Sequence, residues 1–136
     1  MTKARFILAC CLGAVMGSGS SAQELRPAPD YFVGVLFATE FAEAIAANCP
    51  ELRMNVSVAK TMSENVLIWL EQDGFDKSNP AAEMIDATPR LRALQERLIE
   101  KHQLAGANAE QVCAAGRAEM TAETDIGNLL VEVSEQ

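Results

Sequence analysis

Cys113-Ala-Ala-Gly-Arg-Ala-Glu-Met120 decides how the rest of the chain is read. The stretch reads as helix, opened by Asn108 with Gln111 three residues later, a capping-box pattern. It carries one of two cysteines expected in the mature protein. The other, Cys49, closes an apolar helix near the start, just before Pro50. Joining the two fastens the first helix to a late one and turns everything between into a closed loop.

Working outward, the first residues set the compartment. Lys3 and Arg5 form a basic start, and Phe6 to Met16 is an apolar core too short to span a bilayer as a helix. Ser20 and Ala22 put small residues where a signal peptidase needs them, so cleavage is expected after Ala22 and residues 1–22 are set aside as a signal peptide. The alternative, a lipoprotein anchored at Cys10 or Cys11, leaves only four apolar residues before the cysteine. With the leader gone, Cys49 and Cys113 remain in an oxidising space and allow one intramolecular pairing. The loop of about 64 residues is worth roughly 4 kcal/mol in the chain-entropy picture. A redox role is the competing reading, but C-x-x-C and a βαβ pattern are both missing.

Removing 22 of 136 residues leaves 114, a length suited to one domain. Eleven basic and 19 acidic residues become nine and 19, a net charge of −10 for the mature chain. Phosphate backbones and anionic lipids would be repelled by such a surface. A nucleic-acid partner and stable membrane insertion are therefore not expected, and a protein partner stays open.

Gln23 to Pro29 reads as an extended leader to a helical domain over residues 30–136. Asp30 is a candidate cap for a helix over Tyr31 to Asn48. Phe32, Val35, Leu36, Thr39, Ala42 and Ala46 form one apolar stripe there, and Phe37, Phe41 and Ile45 a second. A helix apolar on two sides belongs at the centre of a bundle. Val56 to Asp73 reads as the next helix, with Ala59, Met62, Val66 and Leu70 on one face and Gly74 beyond its end. Pro80 and Pro89 predict two helix starts, with a break at Ala87–Thr88 and Thr88 as cap. Leu91, Leu94 and Leu98 line the second of these, and the charges of Arg90 to Lys101 cover its outer face. Ile126, Leu129, Leu130 and Val133 repeat at helical spacing and extend the last helix. Sustained β-alternation is missing throughout; Arg53–Ala59 comes closest. The fold class is all-α: a small bundle of four to five helices with one disulfide.

Chemistry is thin by residue type. His102 is the only histidine, set near a helix C-terminus where a partly exposed imidazole is comfortable. Covalent haem would need C-x-x-C-H, and an axial pair would need His102 with Met54, Met62, Met84 or Met120. Zinc lacks ligands once the cysteines pair. Asp73-Gly-Phe-Asp76 is too sparse for a calcium loop. No nucleophile elbow is present. Gly116, Arg117 and Glu119 stand out as a functional or packing cluster. Gly116 permits a close backbone approach, and Arg117 with Glu119 reads first as ion pairing that ties the late helix to a neighbour. No catalytic residue, cofactor or metal is expected.

Asn48-Cys49-Pro50, Cys113-Ala-Ala-Gly-Arg-Ala-Glu119 and Ile126-Gly-Asn-Leu-Leu130 together resemble a family of small exported alphaproteobacterial proteins of unknown function. Its members share a similar signal peptide and the patterns Asn-Cys-Pro, Cys-x-x-Gly-Arg-Ala-Glu and Ile-Gly-x-Leu-Leu. The resemblance covers most of residues 30–130. This chain departs from it at Asn128 and in its acidic tail, Glu132 to Glu135, where the family has a basic end. The resemblance implies an all-helical exported domain and no activity. The functional expectation is a non-enzymatic periplasmic or secreted module that binds a partner or serves the envelope. A chaperone-like protein responding to acid or stress is one alternative. A small cofactor-binding or enzymatic bundle, with His102, Arg117 or Glu119 lining its pocket, is the other.

Overall fold

The structure is a computed structural model describing residues 24–133. The expected signal peptide lies outside the described residues. Helix α1 runs Asp30–Asn48. Asp30 is its first residue rather than its cap; no side chain caps this end, and the Asp30 carboxylate pairs with Arg90 instead. Pro50 drives its predecessor out of the α region, and Cys49 is extended at φ −121° and ψ 110°, which ends the helix. Strand β1, Leu52–Met54, follows at once.

Asn55 then caps helix α2, Val56–Gln72, by accepting from the Val58 N–H. Gly74 leaves that helix at φ 77°, and the Gly74 and Phe75 amides return to the Glu71 and Leu70 carbonyls in a Schellman turn. A short 3-10 turn, Pro80–Glu83, precedes helix α3, Thr88–His102. The break expected before Pro89 is present, but Thr88 is the first helical residue and its amide donates to the Asp86 carboxylate. Helix α4, Ala109–Thr121, opens with the complete Asn108/Gln111 capping box.

The helical extension expected over Ile126 to Val133 is wrong. Helix α5 is only Asp125–Asn128, and strand β2, Leu130–Glu132, takes over. The strand pairs antiparallel with β1, matching Leu52 to Glu132 and Met54 to Leu130. Each strand is three residues long, too short for alternation to show in the sequence. Mating 78 residues apart satisfies backbone groups that a short edge would otherwise leave open.

Helix α1 is the spine and packs against α2, α3, α4, α5 and β1. Its fully buried ridge is Val33, Ala38, Ala42 and Ile45. That ridge crosses the two expected stripes, because a helix apolar nearly all round gives its neighbours no single preferred face. Two apolar clusters hang on the spine. One gathers Ala42, Ile45, Cys49, Leu52, Cys113, Ile126, Leu129 and Leu130 around its second half. The other gathers Ala28, Val33, Val66, Leu70, Phe75 and Met84 around its first half. The leader is extended, as expected, and also clamped. Arg26 and Met84 form a parallel bridge, and the Arg26 guanidinium lies 3.5 Å over the Phe75 ring. The same guanidinium donates to the Asp73 and Gly74 carbonyls, where a cation complements the α2 C-terminus.

Candidate functional site

The capping box starts α4 at a register that points Cys113, Gly116 and Glu119 inward. Cys113 is bonded to Cys49 across 64 residues, with Cα atoms 5.1 Å apart. Gly116 sits one turn on, against α1 and β1. A Cβ there would stand 2.8 Å from Ile45 Cγ2 and 2.4 Å from Leu52 Cδ1, so only glycine admits this approach without shifting side chains. Gly127 is tighter still. Its Cβ would stand 2.1 Å from the Glu119 carbonyl oxygen, which is backbone and cannot step aside.

Arg117 faces out. Its guanidinium pairs with Glu51, the residue before β1, and with Glu132, the last residue of β2. Glu119 faces in and is 2% exposed. Lys101 Nζ lies 2.6 Å from its Oε1, and His102 Nε2 lies 2.5 Å from the same atom. The Thr124 hydroxyl donates to Oε2 at 2.6 Å and accepts from the Gly127 amide. Burial by itself would push this carboxyl up. Hydrogen bonds from Lys101, Thr124 and His102, with the Lys101 charge, outweigh it and bring Glu119 down to about 2. A carboxylate with both oxygens engaged by three neighbours is a structural knot. It ties the end of α3 to α4 and α5.

The predicted cluster is therefore divided. Gly116 and Glu119 face the interior from one side of α4, while Arg117 joins the ladder on the surface. Sequence reasoning placed His102 partly in water; its side chain is 12% exposed and bonded to Glu119. The available signal was Glu119 itself, a lone carboxylate among small apolar residues that requires a cation. Spacing could not say that Lys101 and His102 supply it. Among the described residues, no group of three or more histidine, cysteine or carboxylate side chains is arranged to hold a metal.

A second locus was not read from the sequence. An open groove of about 730 Å³ lies between α1 and α2 and reaches α5. Tyr31, Gly34 and Val35 form its α1 wall, and Val58, Met62 and Trp69 its α2 wall. The α2 residues Val58, Met62, Asn65 and Trp69 fall on one helical face, which is the legible signal for it. Asp30, Asn65, Asp125 and Asn128 add the polar lining. Tyr31 and Trp69 meet edge to face with centroids 5.6 Å apart. Burial, then the hydrogen bond to Asp73 and its charge, push the Tyr31 hydroxyl up to about 12, with Arg26 opposing. It therefore remains a donor to Asp73, 2.7 Å away. Gly34 occupies the middle of a helical wall, where glycine costs about 1 kcal/mol relative to alanine. A Cβ at Gly34 would meet nothing within 4 Å. Packing does not require this glycine; its effect is to keep the groove wide.

No helix among the described residues is long and apolar enough to cross a membrane. Compared with known proteins, the chain matches the profile described as "Family of unknown function (DUF5333)" over residues 25–131. No curated protein and no solved structure matches it.

Proposed function

The chain belongs to the DUF5333 family of unknown function, and from that premise we propose that it is an exported, non-enzymatic binding module. The observation that carries this reading is the α1–α2 groove. It has apolar walls and a few polar groups at its margin, the usual makeup of a small-molecule site, and its volume falls in the usual range. The charged residues of the Cys113–Met120 stretch, by contrast, are already engaged, Arg117 with Glu51 and Glu132 and Glu119 with Lys101, His102 and Thr124. The export half of the proposal rests on the basic start, the short apolar core and the small residues before Gln23. A disulfide supports it, since such bonds persist in oxidising compartments.

The test uses Trp69, the only tryptophan of the chain, which lines the groove and is 43% exposed. A panel of small organic molecules titrated into the purified protein should give saturable changes in its emission. Filling the groove with Gly34→Leu should remove them while the far-ultraviolet spectrum stays helical. A flat response across cationic, neutral and anionic compounds would sink the binding reading. Intact mass of the protein recovered from the periplasm should place the first residue at Gln23.

A further inference from the structure

We infer that the α1–α2 groove takes an organic cation with an apolar body, of the alkyl- or aryl-ammonium class. The inference rests on the binding reading above and adds the ligand's chemistry. Four features of the groove converge on it.

The first is charge. Two carboxylates, Asp30 and Asp125, line the groove, and no lysine, arginine or histidine does. Arg90 shares the charge of Asp30 from the far side of α1. Asp125 is exposed, and no described residue bonds to its carboxylate. An anion entering here would meet only repulsion, and a cation would meet a free partner. The full chain carries a net charge of −8, which draws cations from a distance.

The second is the aromatic pair. Tyr31 abuts Trp69 at 79°, and the half-exposed indole lines the groove. Indole is the best of the side-chain rings at holding a cation over its face, and ammonium groups are bound this way. The third is the apolar stretch between the indole and Asp125. Val35, Val58 and Met62 suit a hydrocarbon body, and methionine adapts to irregular shapes. The fourth is Gly34, which removes a side chain from the α1 wall although no neighbour demands it.

A smaller recess on the α3 side of α1 also borders Gly34, but it holds Arg90 and Arg97 and suits the opposite charge. A useful experiment must separate the two. Benzyltrimethylammonium, its carbon isostere neopentylbenzene, and phenylacetate would be titrated into the purified protein, followed by Trp69 emission and by thermal melting. The cation should bind at least tenfold more tightly than the neutral isostere, with phenylacetate weakest. Asn65→Lys puts a positive charge on the exposed α2 side of the groove and should weaken the cation at least tenfold, and by a larger factor than it weakens the neutral probe. Asp125→Asn should weaken the cation by a smaller factor. Gly34→Leu should weaken both cation and isostere without lowering the melting temperature.

Equal or tighter binding of the isostere would overturn the ligand class and leave the binding reading standing. Cation binding that ignores both Asn65→Lys and Gly34→Leu would place the site elsewhere and overturn the inference. Failure of all three probes at millimolar concentration would overturn the inference and the binding reading together.

Discussion

The two apolar clusters on α1 are held by different means. Around the second half of the helix, two glycines let neighbours in closely, side-chain ends at Gly116 and backbone at Gly127. Gly116 and Gly127 admit neighbours that any larger residue would push away, and a disulfide and a buried carboxylate fix the arrangement. Around the first half, ordinary side chains pack together, and the leader closes the cluster through the many-sided contacts of Arg26. Cys49, Cys113, Ile126, Leu129 and Leu130, from the three motifs noticed in the sequence, lie in the first cluster, and none of their residues lies in the second. The groove adjoins the looser half of α1. Tight motif residues thus specify the frame, and the face beside it is free to carry a ligand. In this chain the cysteine- and glycine-bearing stretches build architecture before chemistry.

Breaking the tighter cluster should give the largest effect. Cys49→Ala with Cys113→Ala, or reduction, should cost about 4 kcal/mol for a loop of 64 residues. Urea unfolding with and without reductant measures it. Amide exchange should show the second half of α1 losing its protection first. A loss under about 1 kcal/mol would mean that the two clusters are equally well held without the bond.

Gly127→Ala comes next, at about 3 kcal/mol, because the added methyl meets backbone. Gly116→Ala should cost less, since the ends of the Leu52 and Ile45 side chains can shift. Reversal of that order in chemical denaturation would contradict the geometry.

Glu119→Gln should cost about 2 kcal/mol by exchanging a hydrogen-bonded carboxylate for an amide facing Lys101 and His102. The pH dependence gives its sign. The folded carboxyl sits at about 2 against an ordinary 4.5, so the ionised form favours the fold. That contribution is complete above about pH 4.5 and is lost as pH falls toward 2. The variant should therefore lose stability less steeply than the natural protein between those values, measured as urea midpoints along a pH series. Parallel slopes would show that Glu119 carries no such linkage.

The smallest effect is expected in the looser cluster. Arg26→Ala removes two carbonyl contacts, the pairing with Glu83 and the stacking on Phe75. Much of that guanidinium is solvated, and about 1.5 kcal/mol is the expected loss, visible as earlier melting. The leader should then become the first segment cut by a protease.

The helices were legible because their signals are local. The Asn108/Gln111 box, Pro50, Pro89 and Gly74 each act within a turn of the boundary they set. The Cys49–Cys113 pairing was legible by count, because setting aside the expected leader with Cys10 and Cys11 leaves two cysteines and one choice. Strand β2 was not, because Ile126, Leu129, Leu130 and Val133 have helical spacing, and what overrides it is a partner far back in the chain. Arg26 was hidden for the same reason, since its partners lie at residues 73 to 84. Within the site, Glu119 announced a need for a cation, but the supplier depended on where α3 ends. The groove was harder still. Its aromatic wall, its aspartate and its missing side chain come from α1, α2 and α5, and only the fold assembles them.

The antiparallel ladder also orders events during synthesis. Residues 52–54 are made long before 130–132, and Cys49 precedes Cys113 by 64 positions. At ordinary elongation rates of roughly 5–20 residues per second, that interval lasts several seconds. For much of it, the apolar half of the spine that ends at Cys49 has been translated and its neighbours from α4, α5 and β2 have not. The apolar residues Ala38, Ala42 and Ile45 therefore wait several seconds for the late residues Ile126, Leu129 and Leu130 that finally cover them.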